Sequence, residues 1–556
     1  MSAATGALAT GDGLASRLRR RLMAAFCRTK FYRLTLVGAA PKGLALALPI
    51  RWPGDVTRGT LLLNGEFTLA GETVRQPAPR GDPQGPGEEW LAEYHGFGWL
   101  ADLAATGNIT ARDAGRQAIG EWLKADRVWR PLAWRADVVA ARLVAWITMF
   151  DAFFARTGEA DRLRDAALAS IVRQHRHLGR VVGCDCVGAA RIQALKGLVI
   201  TGVALGLSER RLNRTLAVLS REMPAQVLPD GGHVERSPVV QLTVLRDLVD
   251  IRTALRAAHI VVPEPLQMAI DRMAPVLRMF RHGDGRLAQF NDTSEAYGAL
   301  ADLVLTRSEV RGRAVLSAPH SGFQRLQAGK TIVLVDTGAP PPHGLDRHAH
   351  AGALSFEMSC GRERLIVNCG AWRGPSVTWR RAARNTAAHS TLIVADTNSA
   401  EILPDGTLGR RPAVSKVDRA EEDGSPWIAA MHDGYAANFG LTHSREMVLS
   451  ADGDDLRGAD TLTGRAGEGF AVRFHLHPSV QVSLLQDGAA ALLRLPSGTG
   501  FRLRAEGAQM SLGESIYLGA GETKKTQQIV LSGHVGTQGA TVRWAIRREG
   551  RKAVEA

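Results

Sequence analysis

The sequence predicts a multidomain chain of α plus β class, a helical half followed by an all-β half. Three observations carry this. The chain has 556 residues, more than one ordinary core accommodates and enough for two or three domains. Apolar residues recur at helical spacing from about residue 95 to about residue 310. From about residue 315 the pattern changes to short alternating runs separated by turn residues, with no helical stretches between them.

The elements follow in chain order. RLRRRLMAAFCRTKFYRLTL, near the N-terminus, has apolar pieces too short and too interrupted by charge for a signal-peptide core. It reads as a basic amphipathic helix packed on its own protein, left in solvent, or laid on a membrane surface. Residues 51 to 90 are rich in Gly, Pro and Arg and read as loops and short strands. WRADVVAARLVAWITMFDAFFAR places Val138, Val139, Leu143, Val144, Ile147 and Phe150 at helical spacing. SERRLNRTLAVLSREM opens on a capping residue, Ser208, and aligns Leu212, Leu216 and Leu219 on one face. SPVVQLTVLRDLVDIRTAL has Pro238 in a first-turn position, followed by Leu242, Leu245, Val249 and Leu255. GFQRLQAGKTIVLVDTG predicts a hairpin turning near Ala328-Gly329-Lys330, and AALLRLPSGTGFRLRAEG another turning at Pro496-Ser497-Gly498. GATVRWAIRRE alternates Val542, Trp544 and Ile546 on one face. The expected organisation is a basic arm and lead-in over 1–84, a helical domain over 85–312 and a β-sandwich over 313–556, with a ligand cleft between the last two.

Composition narrows the partners. Lys+Arg 69 against Asp+Glu 55 gives a net charge of +14, which favours an anionic partner. Five scattered cysteines, with Cys184-Asp185-Cys186 in a C-x-C spacing, do not form a disulfide framework and point to a reducing compartment. No run of 18 or more apolar residues predicts a transmembrane helix.

The chemistry-bearing residues cluster in a few stretches. In DRHAHAGALSFEMSCGRERLIVNCGAW, His348 and His350 are two apart, so on a strand they would share a face. His389, in ARNTAAHSTLIV, also leads into an apolar strand, and Asn368 lies between. His350, Asn368 and His389 together offer two imidazoles and one oxygen, a set of the kind zinc takes. The same residues also suit a buried hydrogen-bonded network that fixes strand register. His475-x-His477 is a second such pair. In LPDGGHVERSP, His233 and Glu235 follow a turn and precede a helix, where polar groups reach a cleft or cap the helix. Arg384 is placed to meet an anion or to form a structural ion pair.

HAHAGALSFEMSCGRERLIVNCGAW followed by RRAARNTAAHSTLIV resembles the C-terminal signature of the heparinase II/III family of polysaccharide lyases. EEWLAEYHGFGWLADL, LPDGGHVERSPVVQLTVLRDLVDIR, GDGRLAQFND and YLGAGETKKTQQIVLSG are similar to further family segments, over roughly residues 85 to 535. The resemblance implies an incomplete (α/α) toroid followed by an antiparallel β-sandwich. It implies β-elimination on a uronic-acid-containing anionic polysaccharide, in which the carboxylate is neutralised, a base removes the adjacent proton and an acid protonates the leaving oxygen. Carried over, His348 is the proton-transfer histidine and His350 and His389 are zinc ligands, with Asn368 where the family has Asp.

The helical half departs from the family. A Tyr is expected after Ser237-Pro238, where Val239, Val240 and Gln241 stand, and Ala190 and Arg191 replace an Asn-His element. In the lyase reading His233 or Glu235 covers the missing Tyr, and Arg191, Gln241 and Arg384 bind substrate. The alternative is a non-catalytic binding or assembly protein for an acidic cell-surface glycan. The expected partner is an anionic polysaccharide rather than a nucleic acid. The missing signal peptide points to the cytoplasm, whereas the resemblance points to the periplasm.

Overall fold

The computed structural model describes residues 14–50, 52–75, 85–125, 130–154, 161–485, 488–519 and 522–550. They pack as two compact units. The first takes residues up to 226 with 243–270 and 373–375, and the second takes 227–242, 271–372 and the chain from 376 onward. The packing boundary therefore does not follow the change from helix to strand near residue 312.

The first unit is helical. Its core is aromatic: Phe97, Trp122 and Trp146 meet edge to face, and the Trp122–Trp146 centroids are 5.5 Å apart. Arg142 is wholly buried among them, with each of its three side-chain nitrogens donating a hydrogen bond. It donates to Gln174 Oε1 and to the carbonyls of His95 and Ala133, and its guanidinium lies 4.2 Å from the Trp122 ring centroid. Lys196 is likewise buried against two carboxylates, Asp247 at 2.8 Å and Asp250 at 2.6 Å.

The N-terminal segment forms two helices, α1 (Leu14–Cys27) and α2 (Lys30–Leu36). Thr29 caps α2 by accepting from the Tyr32 N–H. Tyr32 and Leu36, one turn apart, are buried. The Tyr32 hydroxyl lies 2.7 Å from His177 Nδ1, on the helix Arg162–Val181. His177 Nε2 donates to the Trp134 carbonyl, so Nδ1 is the acceptor for Tyr32. Leu18, Leu22 and Phe26 follow i, i+4, i+8 spacing and are 57%, 61% and 41% exposed, whereas Cys27, half a helical rotation from Leu18, is 3% exposed. Leu18 and Leu22 therefore face away from the body α1 is attached to, and Phe26, at the edge of the stripe, packs edge to face on Tyr32 at 5.1 Å.

The second unit contains a β-sandwich. Among the described residues one sheet has nine strands and the other eight, all paired antiparallel. Phe356–Cys360 and Glu363–Val367 lie inside the nine-stranded sheet between Thr331–Asp336 and Gly469–Leu476. Both expected hairpins form, with Gly329 and Gly498 in the left-handed region at their turns. Val542, Trp544 and Ile546 are buried as alternation predicts. Trp544 of one sheet stacks on Phe356 of the other at 5.6 Å, so the two inner faces interdigitate.

Candidate functional site

Three chain segments of the second unit meet around His348. The first is the turn before the helix Pro238–Ala257. Gly231 takes a φ of 89° there and packs against the Arg272 carbonyl, where a side chain would collide. Gln241, in the first turn of the helix, folds this loop. Its Oε1 accepts from the His233 N–H at 2.7 Å, and its Nε2 donates to the Gly231 and Met273 carbonyls at 2.8 and 3.1 Å. The His233 ring is buried, its Nδ1 accepts from the Glu235 N–H, and burial pushes its pKa down. Glu235 is buried as well. Gln241 is thus committed to backbone instead of substrate, and His233 to the turn.

The second segment is Asn291-Asp292, both with left-handed backbone, φ 43° and 62°. Asn291 Nδ2 donates to the Arg236 carbonyl at 2.8 Å, and its Oδ1 accepts from the His350 N–H at 3.0 Å. Arg236 is held in turn by the Ser321 carbonyl and by a buried ion pair with Asp336.

The third segment carries the His-x-His pair. The expectation of a strand is corrected here: residues 337–355 form a loop, and the next strand begins at Phe356. A turn closed by the Ala349 N–H on the Asp346 carbonyl sends the two rings to different environments. The His348 side chain is 41% exposed, and its Nδ1 lies 2.7 Å from Asp292 Oδ2. A carboxylate only accepts, so Nδ1 carries the hydrogen and Nε2 is the basic nitrogen of the neutral ring. Such a ring can take a proton, or return one once charged.

His350 is buried and spent internally. Its Nε2 accepts from the Asp292 N–H at 3.0 Å, so its Nδ1–H donates to His389 Nε2 at 3.1 Å. His389 Nδ1 donates onward to the Asn385 carbonyl at 2.8 Å. Burial first, then the neighbouring ring, pushes His350 well below the usual range, and burial takes His389 to about 4. Asn368 accepts from the Ser390 N–H through Oδ1, and its N–H donates to Glu357 Oε1. Its Nδ2 is buried with no hydrogen-bond partner. These residues do not fit zinc. The two imidazoles bond to each other, the only oxygen of the Asn368 side chain is taken, and no carboxylate joins them. Among the described residues no group of three His, Cys, Asp or Glu side chains is arranged around a metal position.

Arg384 and Arg191 also have other work. Arg384 ends the helix Val377–Arg384, is buried, and donates to the Ala349 carbonyl at 2.6 and 2.8 Å and to the Gly406 carbonyl at 2.8 Å. It fixes the loop between His348 and His350 and is not available to an anionic ligand. Arg191 lies in the first unit, paired with Glu222 at 3.0 Å.

Sequence reasoning missed Asn291 and Asp292. Two adjacent residues that tolerate left-handed backbone, in QFNDTSE, were the available signal. It missed also the buried His282–Glu357 pair at 3.0 Å that underlies Asn368, because its members are far apart in sequence.

Comparison with known proteins agrees with this architecture. Residues 310–545 match the family model described as Heparinase II/III-like, C-terminal. FtsZ-localized protein C of Caulobacter vibrioides is 33% identical over 545 residues, covering 93% of this chain and 92% of that protein. A crystal structure of heparinase III superposes with a TM-score of 0.74 at 13% identity, covering 99% of this chain and 94% of that one. A heparan sulfate lyase from Pedobacter heparinus gives 0.60 at 15% identity, covering 97% and 89%. These structures show the fold, the incomplete (α/α) toroid followed by an antiparallel β-sandwich that the sequence predicts. The chain belongs to the heparinase II/III-like family.

Proposed function

We propose that the chain acts in bacterial cell division, linking FtsZ assemblies to the membrane surface with a heparinase-type body as its scaffold. The observation that carries this is the end-to-end relation to FtsZ-localized protein C, 33% identity across 93% of the chain. Two features support it. The exposed apolar stripe of α1, in a segment rich in arginine, has the composition of a helix that lies in a bilayer interface. In addition, Val239, Val240 and Gln241 stand where the resemblance expects a proton-transferring Tyr, and Gln241 is occupied with its own loop. The test is flotation of vesicles containing phosphatidylglycerol with the full-length chain and purified FtsZ assembled with GTP. FtsZ should rise with the vesicles only when the chain is present. If the chain floats and FtsZ stays behind, the proposed link to FtsZ is wrong.

A second reading is favoured by one observation, the half-exposed His348 backed by Asp292. It makes the chain a lyase that eliminates across a uronic-acid-containing anionic polysaccharide, with His348 moving the proton. Incubation with a panel of uronate polymers should then raise absorbance near 232 nm, and His348→Ala should abolish the rise. No rise with any polymer while FtsZ is recruited leaves the division reading alone.

A further inference from the structure

We infer that the membrane-binding surface extends beyond α1 to an arginine face on the helix Glu209–Gln226, and that this face takes the headgroups of anionic lipids. The inference rests on the membrane reading given above and supplies its electrostatic half.

Leu212, Leu216 and Leu219 are buried and define the inner side of this helix. Arg210, Arg211 and Arg214 are exposed; by helical spacing Arg210 and Arg214 project from the opposite side and Arg211 from the flank between. The face adjoins the N-terminal arm. The Ala45 N–H, on the chain leaving α2, donates to the Ala204 carbonyl at 2.8 Å, and Ala45 packs against Gly206 in the turn that leads into this helix. Arg176 donates to the Leu36 and Val37 carbonyls at the end of α2. Phe31, Leu34 and Val37, on and just past α2, are exposed, as are Arg21 and Arg28 on the same arm. Apolar side chains of α1 and α2 are therefore continued by arginines of the body, all within the first unit.

The chemistry selects the partner. A short apolar stripe gives reversible binding, and lasting attachment takes a second signal such as a basic patch. Guanidinium groups suit phosphate because their planar fork presents paired donors to it. Exposed Leu and Phe beside them have no role on a nucleic acid groove and do have one in acyl chains. A bilayer with phosphodiester headgroups satisfies both halves.

The test uses the full-length chain, phosphatidylcholine vesicles, and vesicles of equal parts phosphatidylcholine and phosphatidylglycerol. The wild type should bind the anionic vesicles much more tightly, with strong salt dependence. The variant Arg210→Glu/Arg211→Glu/Arg214→Glu should bind them at least about 100-fold more weakly, at about 1 kcal/mol per arginine near a charged surface. Its weak binding to phosphatidylcholine and its circular dichroism should be unchanged. Leu18→Ser/Leu22→Ser/Phe26→Ser should lose binding to both. If the wild type ignores both vesicles, the membrane reading itself fails. If the wild type binds and the arginine variant binds equally well with the same salt dependence, the arginine face is overturned and the α1 reading stands. Tighter binding of a short DNA duplex than of vesicles, lost in the same variant, would overturn the lipid assignment.

Discussion

Asp460→Asn should strip much of the stability from the sandwich. Asp460 is buried between the sheets with four donors aimed at it. Oδ1 accepts from Arg445 Nε and His443 Nε2, each at 2.8 Å, and Oδ2 accepts from Arg445 Nη2 at 3.1 Å and Trp544 Nε1 at 2.8 Å. Burial alone would raise the carboxyl, but Arg445 and then His443 outweigh it and hold it far below the usual range. The charge also anchors a chain of neutral rings. With His443 Nε2–H pointing at Asp460, its Nδ1 accepts from His432 Nε2 at 3.1 Å, and His432 Nδ1 accepts from the Gly434 N–H at 3.0 Å. Asparagine removes the negative charge and turns one oxygen into a donor that faces other donors. Removing one partner of a buried pair costs about 3–5 kcal/mol, a large part of the ~5–15 kcal/mol that keeps a domain folded. Urea unfolding followed by circular dichroism and by tryptophan emission should show the midpoint fall accordingly. The double variant Asp460→Leu/Arg445→Met leaves no orphaned charge and should lose clearly less. A single Asp460→Asn variant within about 1 kcal/mol of the wild type would refute the assignment of this charge as the centre of the buried network.

Other outcomes follow from the same structure. His177 is buried and neutral at about 4 against an ordinary 6.5, with burial the main cause, so the unfolded chain binds more protons between those values. Its stabilising effect is complete above 6.5 and is lost as pH falls toward 4, about 2 kcal/mol between pH 7 and pH 5; the melting temperature of His177→Gln should depend less on pH over that window. Gln241→Ala leaves the His233 N–H and two carbonyls unpaired in a buried loop, and chemical denaturation should show a loss of about 2–3 kcal/mol. His348→Ala removes a half-exposed ring and should change stability by no more than about 0.5 kcal/mol, so any functional loss in that variant would be local.

Periodicity determined the fold class because helical and strand spacing are properties of neighbouring residues. The hairpins at Gly329 and Gly498 and the buried Val542, Trp544 and Ile546 were legible for that reason. The same logic failed at His348 and His350. Their spacing suggested one face of a strand, but Arg384, 34 residues beyond His350, pins the Ala349 carbonyl and holds a loop instead. Asp292 reaches His348 only because Asn291 and Asp292 adopt left-handed backbone, and no residue near His348 in sequence announces that. The arm shows both sides of the matter. Sequence spacing alone gave α1 its apolar stripe. Only the burial of Cys27, Tyr32 and Leu36 against the body decided that Leu18 and Leu22 of the stripe face outward, because the direction a helix presents is set by what its other side packs upon.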